Sequence, residues 1–158
     1  MAIDKGDVVD DFELADQDGV PRRLSTMLAD GPIALFFYPA AMSSGCTREA
    51  CTFRDLAAEF REAGAQRVGI SRDLPARQKQ FAELNNFDYP LLSDPDSKVA
   101  AALGVKRRLP LGPLSTKRIT VVIDTDRRVL EIIHSETNMD DHAQRALAAL
   151  RAAHTPGA

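Results

Sequence analysis

Six consecutive apolar residues, Ile33, Ala34, Leu35, Phe36, Phe37 and Tyr38, stand between Gly31-Pro32 and Pro39. A run this short, without polar alternation, predicts a strand buried on both faces. Upstream, residues 11–14 alternate and then meet Asp18-Gly19, a strong turn dipeptide. Downstream the period changes. Residues 45–63 read as a helix closed by Gly64 as its C-terminal cap, residues 67–71 as a short strand, and residues 75–84 as a second helix. Asp94-Pro95 opens a further helix: Asp94 supplies the cap, Pro95 fits the first helical position, and Gly104 ends it. Residues 118–124 and 128–134 predict two strands joined by the polar turn Asp124-Thr125-Asp126. A last amphipathic helix over 140–153 places Ala143, Leu147 and Leu150 on one face. Strands alternating with helices, then a hairpin and a helix, predict an α/β fold with a central mixed β-sheet flanked by helices on both faces.

No repeat, low-complexity tract or linker interrupts the pattern, so the expectation is one domain over residues 1–153 with a short tail at 154–158. Charge narrows the partners. A net charge of −3 and the lack of a long basic run argue against nucleic acid or a membrane surface. The apolar stretch at 32–42 is too short to span a bilayer, and the acidic, polar start does not resemble a secretory signal. A cytoplasmic setting follows as the expectation. In such a reducing compartment two cysteines suggest catalysis or metal binding before a structural staple.

Those two cysteines, Cys46 and Cys51, carry the candidate chemistry. Cys46 lies where the apolar strand turns into a helix, and unpaired N–H groups and the positive end of the helix dipole there favour thiolate over thiol. At about 100° per residue, Ala50, Phe53, Ala57 and Phe60 all fall within roughly 40° of Cys46, whereas Cys51 falls about 140° away. Cys46 therefore tops the apolar stripe and sits in a protected pocket, with Cys51 nearer the surface. Their Cα atoms, five helical residues apart, are on the order of 8–9 Å distant. A disulfide wants less than about 7 Å, so bonding the pair requires the helix start to unwind. The spacing is not that of a thioredoxin C-x-x-C. His134, His142 and His154 offer no paired metal-ligand spacing, and no cofactor is expected. A small buried core residue remains the plain alternative for either cysteine.

The surrounding residues resemble a peroxiredoxin of the bacterioferritin-comigratory-protein or PrxQ group. The matching positions are Phe37, Tyr38, Pro39, Ser43, Cys46, Thr47, Glu49, Phe53, Arg54 and Asp55. Further segments in family order are residues 12–19, 69–73, 89–94 and 118–124. The resemblance implies a thioredoxin-like fold and a thiol-dependent peroxidase of the atypical two-cysteine kind. Cys46 matches the peroxidatic cysteine and Cys51 the resolving one. Pro39 would shield the pocket, Ser43 would hydrogen-bond the peroxide, and Arg118 would stabilise the thiolate and polarise the O–O bond; Thr47 and Tyr38 belong to the same motif. Serine at 43 stands where the group usually has threonine, keeping the hydroxyl but losing the methyl that fixes its rotamer. Ser44 stands where proline is common. Implied partners are peroxides and thioredoxin or a similar dithiol, acting on a monomer or weak homodimer.

Other residues read less sharply. Glu49, in the first helical turn, is either a surface charge favoured by the helix dipole or an orienter of an arginine. His134 and His142 read as strand-end and helix-surface residues without a role. The basic, proline-containing segment 106–117 reads as a solvated loop or as a border of the pocket that meets a reductant. Two rivals to the peroxidase remain: a thioredoxin-like disulfide oxidoreductase or redox-sensing binding module, and an interaction domain with inert thiols.

Overall fold

The computed structural model describes residues 3–105, 117–135 and 138–153. The segment 106–116, expected as a loop, and the tail 154–158 lie outside them.

The apolar run becomes β3 (Ile33–Phe37), every residue of it buried. It pairs in parallel with β4 (Gln66–Ser71) and antiparallel with β6 (Ile119–Ile123). With β5 (Leu91–Ser93) outside β4, and β7 (Val129–His134) outside β6, the mixed sheet has the order β5-β4-β3-β6-β7. Before it, β1 (Glu13–Ala15) and β2 (Pro21–Arg23) pair antiparallel across the turn expected at Asp18-Gly19. Gly19 in that turn has φ +76°.

Alternation along β3 divides the molecule into two cores. Ile33, Leu35 and Phe37 face one side, packed with Leu24 and Met27 of α1 (Leu24–Met27) and Val99 and Ala100 of α5 (Lys98–Ala102). Ala34, Phe36 and Tyr38 face the other. There they meet α2 (Ser44–Asp55), α3 (Ala57–Glu62), α4 (Pro75–Asn85) and α6 (Met139–Ala153). Phe36 stacks on Phe53 of α2 with ring centroids 4.3 Å apart. Ala143, Leu147 and Leu150 of α6 are buried on this side, as the periodicity predicts. No helix among the described residues is long and apolar enough to cross a membrane.

Two helix boundaries differ from expectation. The helix read as continuous over 45–63 breaks at Leu56 (φ −97°, ψ 23°). The cause is Arg67 of β4, whose Nη1 takes the carbonyls of Phe53 and Arg54 at 3.0 and 3.5 Å. These are carbonyls that would accept from residues 57 and 58 in an unbroken ladder, and a side chain inserted there bends the helix. The helix expected from Pro95 begins instead at Lys98, because Ser97 is left-handed at φ +56°. Asp94 is nonetheless the cap: its carboxylate accepts the N–H groups of Lys98, Val99 and Ala100 at 2.9–3.1 Å.

Candidate active site

β3 hands the chain to Pro39, which is buried, and a short loop then leads into α2. Two features fix that loop. Asp73, beyond β4, accepts the Ala41 N–H at 2.7 Å, and Met42 takes a left-handed φ of +66°. The loop ends at Ser43, the N-cap of α2. The Ser43 hydroxyl accepts the Cys46 N–H at 3.4 Å and donates to the Ala40 carbonyl at 3.0 Å, while Thr47 Oγ1 donates to the Ser43 carbonyl at 2.8 Å. Cys46 thus sits in the first turn of α2, fully buried, above Ala50, Phe53 and Phe60.

Arg118 reaches the sulfur from the sheet. In the antiparallel β3–β6 ladder Phe36 faces Thr120, so two residues further along the register Arg118 comes level with Tyr38, where β3 ends. Its Nη1 lies 3.2 Å from Cys46 Sγ, and the side chain is buried. Gly45 leaves room for it: a Cβ there would stand 3.3 Å from Arg118 Nη2. A cation and a helix start converge on one sulfur, an arrangement that stabilises an anion at Sγ and on any oxygen attached to it.

Behind the arginine lies a buried carboxylate. Glu49 is 0% exposed, with Oε1 3.5 Å from Arg118 Nη1 and Oε2 3.4 Å from Nε2 of His142. This corrects the surface reading of Glu49, whose carboxylate is buried beside Arg118. His142, expected on a helix surface, is also 0% exposed. A signal existed for both. Glu49 stands three residues after Cys46, and His142 four before Ala146 and eight before Leu150, so each lies on the apolar face of its helix. His134 is exposed at the end of β7, as read.

Cys51 lies on the same helix as Cys46, half-buried, its Sγ 3.8 Å from Asn85 Oδ1 at the end of α4. Burial pushes its thiol up; Arg54 draws it down and Asp55 raises it again. Both thiols are free. Tyr38 donates to Gln78 Oε1 at 2.5 Å, and burial pushes its phenol far up.

Residues 5–132 match the AhpC/TSA family. The chain belongs to the AhpC/TSA family. A peroxiredoxin of Mycobacterium tuberculosis is 63% identical over 147 residues, 93% of this chain and 96% of that one. Chloroplastic peroxiredoxin Q of Arabidopsis thaliana is 38% identical over 96% of this chain and 68% of its own. Among solved structures, peroxidoxin BcpB of M. tuberculosis superposes with a TM-score of 0.90 at 61% identity, covering 95% of this chain and 97% of that one. Peroxiredoxin Q of Xanthomonas campestris does so at 0.81 and 29%, covering 89% and 90%.

As an AhpC/TSA member similar to the peroxiredoxin Q group, the protein is a thiol-dependent peroxidase with a thioredoxin-like fold, acting on peroxides and drawing on a thiol reductant. Of the residues singled out in the sequence, Cys46, Arg118, Ser43 and Glu49 come together around one sulfur, with Pro39 and Thr47 in the loop and turn that frame it. Cys51 instead meets Asn85, and the Tyr38 hydroxyl is taken by Gln78.

Proposed function

We propose that this peroxidase reduces hydrogen peroxide and organic hydroperoxides through Cys46 and resolves the product with Cys51. The observation that carries this reading is the Arg118 Nη1 to Cys46 Sγ distance of 3.2 Å within a buried site. The thiolate of Cys46 attacks the distal peroxide oxygen; the O–O bond breaks, sulfur gains that oxygen as sulfenate, and the departing alkoxide or hydroxide takes a proton. Negative charge grows on the leaving oxygen, and Arg118 is the donor that meets it, joined by the Cys46 N–H and the Ser43 hydroxyl as they exchange their resting partners Ser43 Oγ and the Ala40 carbonyl for it. Pro39, buried where the chain leaves β3, shields the pocket of the sulfur.

The Cys51 thiol then condenses with the sulfenic acid, releasing water and forming the disulfide. Because both cysteines stand on α2, the first turns of the helix unwind for this step. A dithiol, thioredoxin by preference, donates two electrons by thiol–disulfide exchange and restores both thiols. The chain works as one domain over residues 1–153, monomeric or weakly dimeric, in the cytoplasm, without nucleic-acid or membrane partners.

The test is peroxide consumption coupled to thioredoxin and its reductase. Cys46→Ser consumes no peroxide; Cys51→Ser completes the first oxidation and then stalls. Full turnover by Cys46→Ser ends the reading.

A further inference from the structure

We propose that His142 is a positioning residue for Arg118, acting through Glu49 to hold the guanidinium against the Cys46 sulfur. The inference rests on the reading of Cys46 as the attacking sulfur. Its grounds are the bonds of the ring itself.

The Nε2 of His142 lies 2.8 Å from the backbone carbonyl of Ser135 and 3.4 Å from Glu49 Oε2. Both partners are acceptors, so Nε2 carries the proton. The Nδ1 lies 2.7 Å from Thr120 Oγ1, a hydroxyl that can donate to it or accept from it. The ring is therefore held at both nitrogens. One anchor is Thr120, two residues beyond Arg118 on the strand that delivers the arginine. The other anchor, Ser135, follows β7.

Packing of α6 does not call for an imidazole here. Ala143, Ala146, Leu147 and Leu150 already fill the core face, and a buried polar ring is costly unless every polar atom is satisfied. What the ring adds is its Nε2–H edge, bonded to Ser135 and 3.4 Å from one end of a carboxylate whose other end meets the guanidinium. Glu49 presents Oε1 to Arg118 and Oε2 to His142. With a positive edge facing each oxygen, at 3.5 and 3.4 Å, the carboxylate plane is held electrostatically. Without that edge, the carboxylate turns both oxygens to the guanidinium in a bidentate pair and draws it away from sulfur. At the helix surface, Asp140 of α6 accepts from Arg48 at 3.0 Å and Thr52 at 2.9 Å, which ties the turn bearing His142 to α2.

His142→Gln keeps an N–H near the Nε2 position, and His142→Asn, a shorter amide, does not reach it. The expected result is a fall of about tenfold in the second-order rate of Cys46 oxidation by hydrogen peroxide in His142→Asn, the scale of one lost polar contact to a buried charge. His142→Gln restores most of that rate. A merely structural histidine would lower the melting temperature of both variants without separating their rates. Equal rates in wild type and His142→Asn, or a Gln variant as slow as the Asn variant, overturn the proposal. Should His142→Asn fail to fold, the ring 15N shifts of His142 in Cys51→Ser protein decide: one equivalent of peroxide shifts them if the chain of contacts reaches sulfur, and unmoved shifts overturn it. A wild-type Cys46 no faster than a free thiol instead removes the peroxidase reading beneath.

Discussion

The hydroxyl of Tyr89 donates to the carbonyl of Ala50 at 2.6 Å, pinning α2 to the β5 side of the core at the residue just before Cys51. Burial pushes the Tyr89 phenol far up, so it stays a donor across the working range of pH. Arg67, 5.1 Å over the Tyr89 ring, holds it from the other side. The two cysteines of the proposed disulfide thus lie on a helix that is tied down between them.

Tyr89→Phe loosens that tie. Losing one hydrogen bond costs the closed helix about 1 kcal/mol, a roughly fivefold larger unwound fraction. After a single peroxide pulse, the variant forms the Cys46–Cys51 disulfide faster than wild type, by rapid-quench thiol counting. Amide exchange in residues 46–51 rises in parallel, and in wild type it is greater in the oxidised than in the reduced protein. Identical closure rates and identical exchange would mean that unwinding of α2 does not govern the second step.

Arg118→Met separates stability from chemistry. The substitution strips the buried Glu49 carboxylate of its cationic partner, which costs about 3–5 kcal/mol. It also removes a donor to the leaving oxygen, worth about 10²–10³-fold in rate. The double variant Arg118→Met with Glu49→Gln regains most of the melting temperature but none of the peroxidase rate. Recovery of both would assign Arg118 to the fold alone.

Much of this was legible in the chain, and the exceptions have physical causes. The double-faced strand 33–37 and the helix stripe through Cys46, Ala50, Phe53 and Phe60 follow from periodicity alone, because burial there is set by local pattern. The break at Leu56 was not, since it depends on Arg67 arriving from another element to take two helix carbonyls. Asp94 was read correctly as a cap, but the left-handed Ser97 that delays the helix has no Gly or Asn to announce it. His142 escaped, and for Glu49 a surface charge stayed open beside the arginine-orienting reading, because ionisable residues are rarely fully buried unless paired. The partners of Glu49 are Arg118, just before β6, and His142 of α6, each more than sixty residues away from it in the chain.

Acid weakens the fold at a definable place. Asp88 receives both Nη groups of Arg67 at 2.8 Å, and that hydrogen-bonded guanidinium, against a smaller opposing effect of burial, holds the carboxyl below its ordinary 3.8. A folded-state value below the unfolded one means the pair stabilises fully above pH 3.8, and the contribution fades as pH falls through the lowered value. Asp88→Asn should therefore melt below wild type by a constant margin at neutral pH, a margin that closes at strongly acidic pH. A margin independent of pH would assign the effect to packing.

The central claim is that the sulfur of Cys46, beside Arg118 at the start of α2, is built to take oxygen from a peroxide. Its most direct measurement is the second-order rate of hydrogen peroxide with Cys51→Ser protein, in competition with a free thiol and followed by intact mass. The account predicts a rate orders of magnitude above the free thiol and a single added oxygen on the peptide bearing Cys46. A rate no faster than the free thiol, or oxidation elsewhere with Cys46 untouched, would contradict it.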